Sequence, residues 1–474
     1  MRPRPIILFL PLLWLAACTV GPEYRRPEVT LPEHFREAGG EWRAAQPGEF
    51  TVPERWWRVF GDAELDRLEE RMVIDNQTLK LAEARYRAAR AAVDSARAAR
   101  LPSVTGAAEA SRGRTRGSAV ENTFSLSASA NWEIDLWGRV RRSIEAAQAR
   151  AESSADDLAA ARLSTQALLA QTWFQLRAAE LQHQLLQRTL AADTRFLQLT
   201  RDRHSAGVAS GLDIAQAETQ LGSVRIQLSE NELQRAQLAH ALTTLLGGKD
   251  AIQVVSDAPL PAVPPVPELL PSTVLEQRPD IASAERLAAA ANAQIGLAET
   301  AYFPLLNLGA NGGLSASVLD QLFNAPSRVW SLGPSLAMTL FDGGARSAAV
   351  EQARAGYDQA VATYRQTVLT AFQEIEDNLA AARLLQRQAD EQSQTLAAAR
   401  RAREYAEDQY RAGTISSLNV ISAQTAELAA DLNLVSIQTR RLAASVVLLK
   451  NTGGRTGSLE KAVTSTSGRQ ASED

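Results

Sequence analysis

Cysteine is nearly absent. Cys18 is the only one in 474 residues, so no disulfide can form within the chain. Methionine, at three residues, is too sparse to line a soft-metal relay. The four histidines, His34, His183, His204 and His240, are scattered and show no ligand spacing. A basic excess is missing too: 50 Lys and Arg against 54 Asp and Glu give a formal charge of −4, which speaks against a nucleic-acid partner. No nucleophile, base or metal set converges in the pattern, which argues against an enzyme and against a cofactor. Nor does any segment beyond the leader approach the ~20 apolar residues of a spanning helix. If this chain crosses a membrane, it must do so by strands.

What is present begins with a leader. Arg2 and Arg4 supply positive charge, Ile6 to Trp14 form a short apolar core, and Leu15, Ala16, Ala17 and Cys18 follow. The layout is that of a secretory signal over 1–17. The last four residues resemble the bacterial lipoprotein box, in which the cysteine is lipidated and becomes the new N-terminus. A lipid on Cys18 gives the lone thiol a use and leaves no further covalent group to expect. In lipoproteins an aspartate at the next position commonly marks inner-membrane retention. Thr19 stands there, which points to the outer membrane.

The rest of the chain repeats itself. Gly207, Val208, Ala209, Ser210, Gly211, Leu212 and Asp213 return as Gly413, Thr414, Ile415, Ser416, Ser417, Leu418 and Asn419, an offset of 206. Leu136 and Trp137 return as Leu340 and Phe341 at 204, and Leu101-Pro102 as Phe303-Pro304 at 202. Such a period is too long for a solenoid and implies one unit doubled. The organisation read from this is a leader over 1–17, a lipidated arm over 18–61, a first repeat over 62–248, a Pro-rich connector over 249–265, a second repeat over 266–454 and a polar, disordered tail over 455–474.

Within a repeat the period changes. The first helix is expected from Ala63 to Arg100, stopped by Pro102, and its counterpart from Asp280 to Tyr302, stopped by Pro304. Then alternation sets in. Phe124, Leu126, Ala128, Ala130, Trp132, Ile134 and Leu136 share one face of an expected strand over 123–136, and Trp330 to Leu340 does the same. The segments 103–111 and 305–315 alternate more weakly. Two hairpins and four strands follow, each long enough for the ~9–11 residues of a tilted membrane strand. A soluble half-buried sheet would alternate in the same way. Pro334 requires an edge or a bulge, since it cannot donate to a ladder.

Long helical stretches come next, over 139–204 and 345–410, each worth ~100 Å if continuous. Gly207 and Gly413 then read as helix stops. Ser210 and Asp213 have capping-box spacing. The second returning helix carries a heptad seam through Leu428, Leu432, Val435, Thr439, Leu442, Val446 and Leu449. The first returning helix looks less regular. Four strands cannot close a barrel, for which about eight is the practical minimum. Open edges are not tolerated in lipid, so strands must be borrowed from other chains.

The stretch Cys18 to Pro27, the run Trp56, Trp57, Phe60, Gly61, Asp62, the segment from Trp330 to Gly344 and the two glycine tips resemble the TolC-like outer-membrane factor family. The lipoprotein branch related to OprM and NodT fits best. The resemblance implies an α+β membrane protein forming a homotrimer. Four strands per chain would make one twelve-stranded β-barrel, continued by a long α-helical periplasmic barrel. It implies an outer-membrane channel of a tripartite efflux system, of the resistance-nodulation-division type, in contact with outer-membrane lipid. A periplasmic adaptor protein and an inner-membrane pump are the implied partners. The family's adaptor-docking role falls here on Gly207, Val208, Ser210 and Asp213, and on Gly413, Thr414, Ser416 and Leu418. The family's periplasmic gate falls on Leu418 and Ser422. Many relatives carry an acid where Ser422 stands, which favours Leu418. On the same fold, type I protein secretion or heavy-metal export are the alternatives. A periplasmic adaptor would share the lipobox and helical hairpins but not two alternating hairpins in tandem.

Overall fold

The computed structural model describes residues 19–30, 32, 35–37, 55–114, 116–117, 119–248, 259–265 and 278–451. The leader, Cys18, most of the arm beyond residue 30, most of the connector and the tail lie outside the described residues. The elements run in the order α1 (Ala63–Asp75), α2 (Gln77–Ala98), β1 (Ser103–Gly113), β2 (Glu121–Glu133), α3 (Arg139–Ser205) and α4 (Gly211–Leu245). There follow α5 (Pro279–Glu299), β3 (Leu305–Ala316), β4 (Arg328–Ala337), α6 (Ala345–Arg411) and α7 (Ser417–Asn451). The doubling is literal: α3 and α6 have 67 residues each, and α4 and α7 have 35.

Three expectations need correction. The helix expected over 63–100 is two helices. Asn76 breaks it by turning extended, with ψ 125°. Its side chain then accepts from Leu79 N at 3.0 Å and donates to the Leu245 carbonyl at 2.8 Å, the local competition for which Asn is suited. The second strand ends at Glu133 rather than Leu136, because Asp135 leaves the ladder to cap α3, accepting from Val140 N at 3.1 Å and Arg141 N at 3.0 Å. Asp342 repeats this in the second copy, accepting from Gly344 N and Arg346 N, and β4 ends at Ala337. The first returning helix is regular after all: Ile214, Ala217, Leu221, Val224, Leu228, Asn231, Arg235, Leu238, Leu242 and Leu245 alternate by three and four and are all buried or half-buried.

The chain forms two compact units. The first takes residues within 1–29, 82–158 and 279–367 and holds the sheet. Its four strands are antiparallel in the order β1-β2-β3-β4. Directly opposed residues share a face. The register therefore collects Val104, Ala108, Phe124, Leu126, Ala128, Ala130 and Trp132 with Leu306, Leu308, Ala310, Leu314, Trp330, Leu332, Pro334 and Leu336. Serines, threonines, asparagines and glutamates dominate the opposite face. Pro334 sits in β4, which has only β3 as neighbour in this sheet, and the β3–β4 register runs on without a bulge. Within the single chain β4 is an edge strand, where a missing donor is tolerated.

In the same unit, residues 20–24 form a strap. Val20 N donates to the Trp137 carbonyl at 3.1 Å. Arg142, 2% exposed, donates to the carbonyls of Val20 at 3.0 Å and Gly21 at 3.2 Å, and pairs with Glu145 at 2.7 Å. Gly21 crosses α5 at Gly296 so closely that a Cβ on Gly21 would lie 2.3 Å from the Gly296 Cα. Both must be glycine for the strap to seat.

The second unit takes residues within 30–81, 159–278 and 368–474. Its core joins Trp56, Trp57, Phe60, Leu65, Leu68 and Met72 to Leu169, Trp173 and Phe174 of α3, Leu242 of α4, and Leu442 and Val446 of α7. Asp62 explains the motif around it. It caps α1 through Glu64 N and Leu65 N at 3.0 Å, and its other oxygen receives Trp173 Nε1 at 2.9 Å and Arg177 at 3.3 Å. That charge is buried, paired and hydrogen-bonded, the condition under which burial is tolerated.

Candidate docking tips and gate

Each tip is a helix stop followed by a helix start, both in the second unit. At the first, Gly207 takes φ +75°, Gly207 N donates to His204 O at 2.9 Å, and Val208 N donates to Arg203 O at 2.9 Å. At the second, Gly413 takes φ +78°, with Gly413 N on Tyr410 O and Thr414 N on Gln409 O, both at 3.0 Å. The left-handed backbone is what calls for glycine here. A Cβ added at either would meet no atom within 4 Å, so space is not the reason.

The restarts differ. Ser210 caps α4 in a full capping box: Asp213 N donates to the Ser210 hydroxyl at 3.2 Å and Ser210 N donates to Asp213 at 2.8 Å. The second copy has Ser416 and Asn419, with Asn419 N on Ser416 O at 3.2 Å. The remaining Asp213 oxygen reaches the other tip, where it accepts from the hydroxyl of buried Ser417. Ser417 also donates to Gln216 at 3.5 Å, and about two turns further along α7 Thr425 donates to Gln220 at 3.2 Å. The hydroxyl of Ser417, then the side chain and N–H of Ser210, hold the Asp213 carboxyl below its ordinary range.

Of the residues expected from sequence, the structure brings together Ser210, Asp213 and the start of α7. Val208 and Leu418 point outward, 64% and 54% exposed, and Gly207, Gly413, Thr414 and Ser416 are exposed. Leu418 and Ser422 lie one turn apart on α7, both exposed in the single chain. Sequence reasoning missed the role of Ser417, which lies within the repeated tip motif but is identified only by its partner. It also missed Arg203, which lies 4.5 Å over the Tyr410 ring and donates to the Tyr410 carbonyl at 2.9 Å.

Behind the tips is a polar cavity of about 300 Å³, lined among others by Asp193, Arg400, Arg403, Gln424, Glu427 and Asp431. Arg403 pairs with Glu427 and, at 3.1 Å, with Glu407; Arg400 pairs with Asp431 at 2.9 Å. Asp193 is buried with Oδ1 unpartnered, and burial pushes its carboxyl up to about 6, against the Gln220 amide that pulls the other way. Among the described residues no group of three or more metal-ligating side chains forms.

The fold and tips can now be set beside known proteins. The family described as Outer membrane efflux protein matches over residues 70–248 and 270–454. The chain is 31% identical over 421 residues to the probable efflux pump outer membrane protein TtgC of Pseudomonas putida, covering 86% of this chain and 87% of that one. It is 32% identical over 424 residues to the outer membrane protein OprJ of Pseudomonas aeruginosa, covering 87% and 88%. Among solved structures, the outer-membrane channel OprN superposes with TM-score 0.84 at 30% identity over 92% of this chain and 99% of that chain. CusC superposes with TM-score 0.80 at 27% identity over 92% and 100%. Doubled hairpins, doubled long helices, paired tips and these likenesses agree, and the chain belongs to the outer membrane efflux protein family as an outer-membrane channel of tripartite efflux systems.

Proposed function

We propose that three copies of this chain close one twelve-stranded barrel, four strands from each, and act as a passive conduit for drugs and other small molecules. The observation that carries the reading is the sheet: one continuous apolar face with β1 and β4 each lacking an outer neighbour among the described residues. Lipid contact calls for the first property, and edge pairing between copies answers the second. The polar face then lines water. Cys18 carries lipid and anchors the chain at the membrane. The helices stand in the periplasm, where the tips at Gly207 and Gly413 receive the adaptor, with an inner-membrane pump behind it. Leu418 closes the resting channel, and Ser422 contributes little. The chain needs no catalytic group and no cofactor beyond the lipid.

The test is extraction from outer membranes. A heat-modifiable complex of three chains, with single-channel conductance in planar bilayers, supports the reading. A monomer, or a trimer that does not conduct even as the Leu418→Ala variant, contradicts it. Acyl labelling should vanish in Cys18→Ser while some trimer still forms. Heavy-metal export is a second cargo reading, favoured by 29% identity over 439 residues to the cation efflux system protein CusC of Escherichia coli. Restored tolerance to heavy-metal cations, rather than drug tolerance, in a channel-less strain would favour it.

A further inference from the structure

The apolar face of the sheet ends in charge on one side only. Followed through the register, its charged members among the described residues are Arg112 and Arg328. Arg112 lies opposite Asn122, two positions beyond the pair of Ala110 and Phe124. Arg328 lies opposite Leu314, two positions beyond the pair of Trp330 and Gly312. Both arginines are exposed. Both stand at the hairpin end of the sheet, away from the long helices, which faces the outer medium in the reading above. The hairpin after β1 adds Arg114 and Arg116. The helix end of the same face closes on Val104, Trp132, Leu306 and Leu336, without a charge. The opposite face of the strands carries the other sign, with Glu109, Glu121 and Glu133 and no arginine or lysine. Arginine costs a barrel little near either interface. Tolerance alone would therefore place arginines at both ends. Their confinement to one end asks for a partner found only there.

Within one chain β1 and β4 are three strand spacings apart, about 14 Å. Closure by three copies sets β4 of one beside β1 of the next. The stagger of the sheet then brings the arginines together. The last pair of the β3–β4 ladder, Leu314 with Arg328, is level with Leu126 on β2, five residues short of Glu121, where the β1–β2 ladder ends. Barrel strands are tilted and staggered in this way. The outer end of β4 therefore meets the arginine end of the next copy's β1 rather than its middle. Like charges side by side on a sheet repel, so each seam calls for an anion. Phosphate is the anion that arginine's planar fork holds with two parallel bonds. We infer that each seam binds the diphosphorylated glycolipid of the outer leaflet, lipid A, with a phosphate between Arg328 of one copy and Arg112 of the next. The acyl chains run down the apolar face past Trp330 and Leu332. This rests on the three-copy barrel and names a lipid that its seams hold. Phospholipid in the inner leaflet meets the uncharged end of the same face.

Native mass spectrometry tests this on the trimer extracted in detergent, stripped of lipid and titrated with diphosphoryl lipid A. The expected result is retention that saturates at one lipid per seam. Dephosphorylated lipid A and phosphatidylglycerol should each bind more weakly by roughly tenfold or more, the worth of one charge-assisted hydrogen bond. Inorganic phosphate should not displace the bound lipid. Arg112→Gln with Arg328→Gln should weaken retention by a similar factor. Equal retention of the diphosphorylated and dephosphorylated forms would overturn the inference, and so would full retention by the double variant. The first comparison uses the unsubstituted chain, so it decides the matter even where the double variant fails to assemble. Retention by monomers equal to that by trimers would overturn the seam placement. No trimer from the unsubstituted chain would overturn the three-copy reading itself.

Discussion

The two tips are copies of one turn, yet they are not held alike. Both stop a long helix with a glycine near φ +75° and restart it within four residues. Only the first keeps an acid, Asp213, where the second has Asn419. Only the second has Ser417, where the first has Gly211. The acid of one copy is bound by the serine of the other. Duplication supplied two equal turns, and divergence turned them into the two halves of a latch. What they still share is backbone geometry. What they no longer share is electrostatics.

The shared part should carry the largest effect. Valine resists a left-handed backbone, so Gly413→Val and Gly207→Val should each abolish efflux in a drug-susceptibility assay. Trimer yield should stay near normal, because the strands lie in the other unit. Loss of function at one tip and tolerance at the other would mean that the two turns are not equivalent.

The next effect lies on one side only. Leu418→Ala should raise resting single-channel conductance and sensitivity to large antibiotics without the pump. Ser422→Ala, one turn on, should leave both nearly unchanged, since a hydroxyl ring offers no strong electrostatic barrier. The reverse outcome would move the gate off Leu418.

The latch itself should contribute less. Ser417→Ala removes one charge-assisted bond, worth ~1 kcal/mol at this partly exposed position, and Asp213→Asn takes the charge from that bond and from the two bonds to Ser210. Amide exchange over 414–418 should quicken severalfold at pH 7, and the double variant should add little more. The sign with pH follows from the lowered Asp213 carboxyl. Its stabilising contribution is complete above the unfolded value of ~4 and is lost as pH falls through the lower folded value. The variant and the parent should therefore converge once pH falls below the lowered folded value.

The smallest effect on export is at Asp193, whose change is read in stability. Its folded carboxyl is raised to about 6, so the unfolded chain releases that proton first and stability falls as pH rises from about 4 to 6. Asp193→Asn should flatten that slope and raise the thermal midpoint slightly at pH 7. An unchanged slope would place the titration elsewhere.

Much of this could be seen in the residues. The strand faces were legible because a period of two leaves little freedom: one slip moves every side chain to the other side. Both strand ends were overrun because Ile134, Leu136, Met338 and Leu340 continue the alternation, while Asp135 and Asp342 act as caps that alternation cannot see. The break at Asn76 was hidden by good helix formers on both sides. The buried seam of α4 was obscured by polar residues at core positions. Asn231 donates to the Ala179 carbonyl at 3.0 Å and Arg235 pairs with Glu180 at 2.6 Å, which ties both to α3 while Asn231 Oδ1 and Arg235 Nε stay without a hydrogen bond. At the tips, glycine and capping chemistry were readable locally. Ser417 was not, because its role depends on a partner 204 residues away.

The barrel reading is tested most directly by one pair of substitutions in β2. Ala128 lies on the apolar face, opposite Gly106 and Gly312, and Ser127 lies on the polar face, opposite Ala107 and Gly313. An arginine facing lipid near the midplane costs ~2–4 kcal/mol, and one facing a water-filled lumen far less. Quantified as trimer recovered from outer membranes, Ala128→Arg should fall severely while Ser127→Arg stays close to the parent. Equal loss in both, or greater loss in Ser127→Arg, would contradict a membrane-embedded sheet with its apolar face turned to lipid.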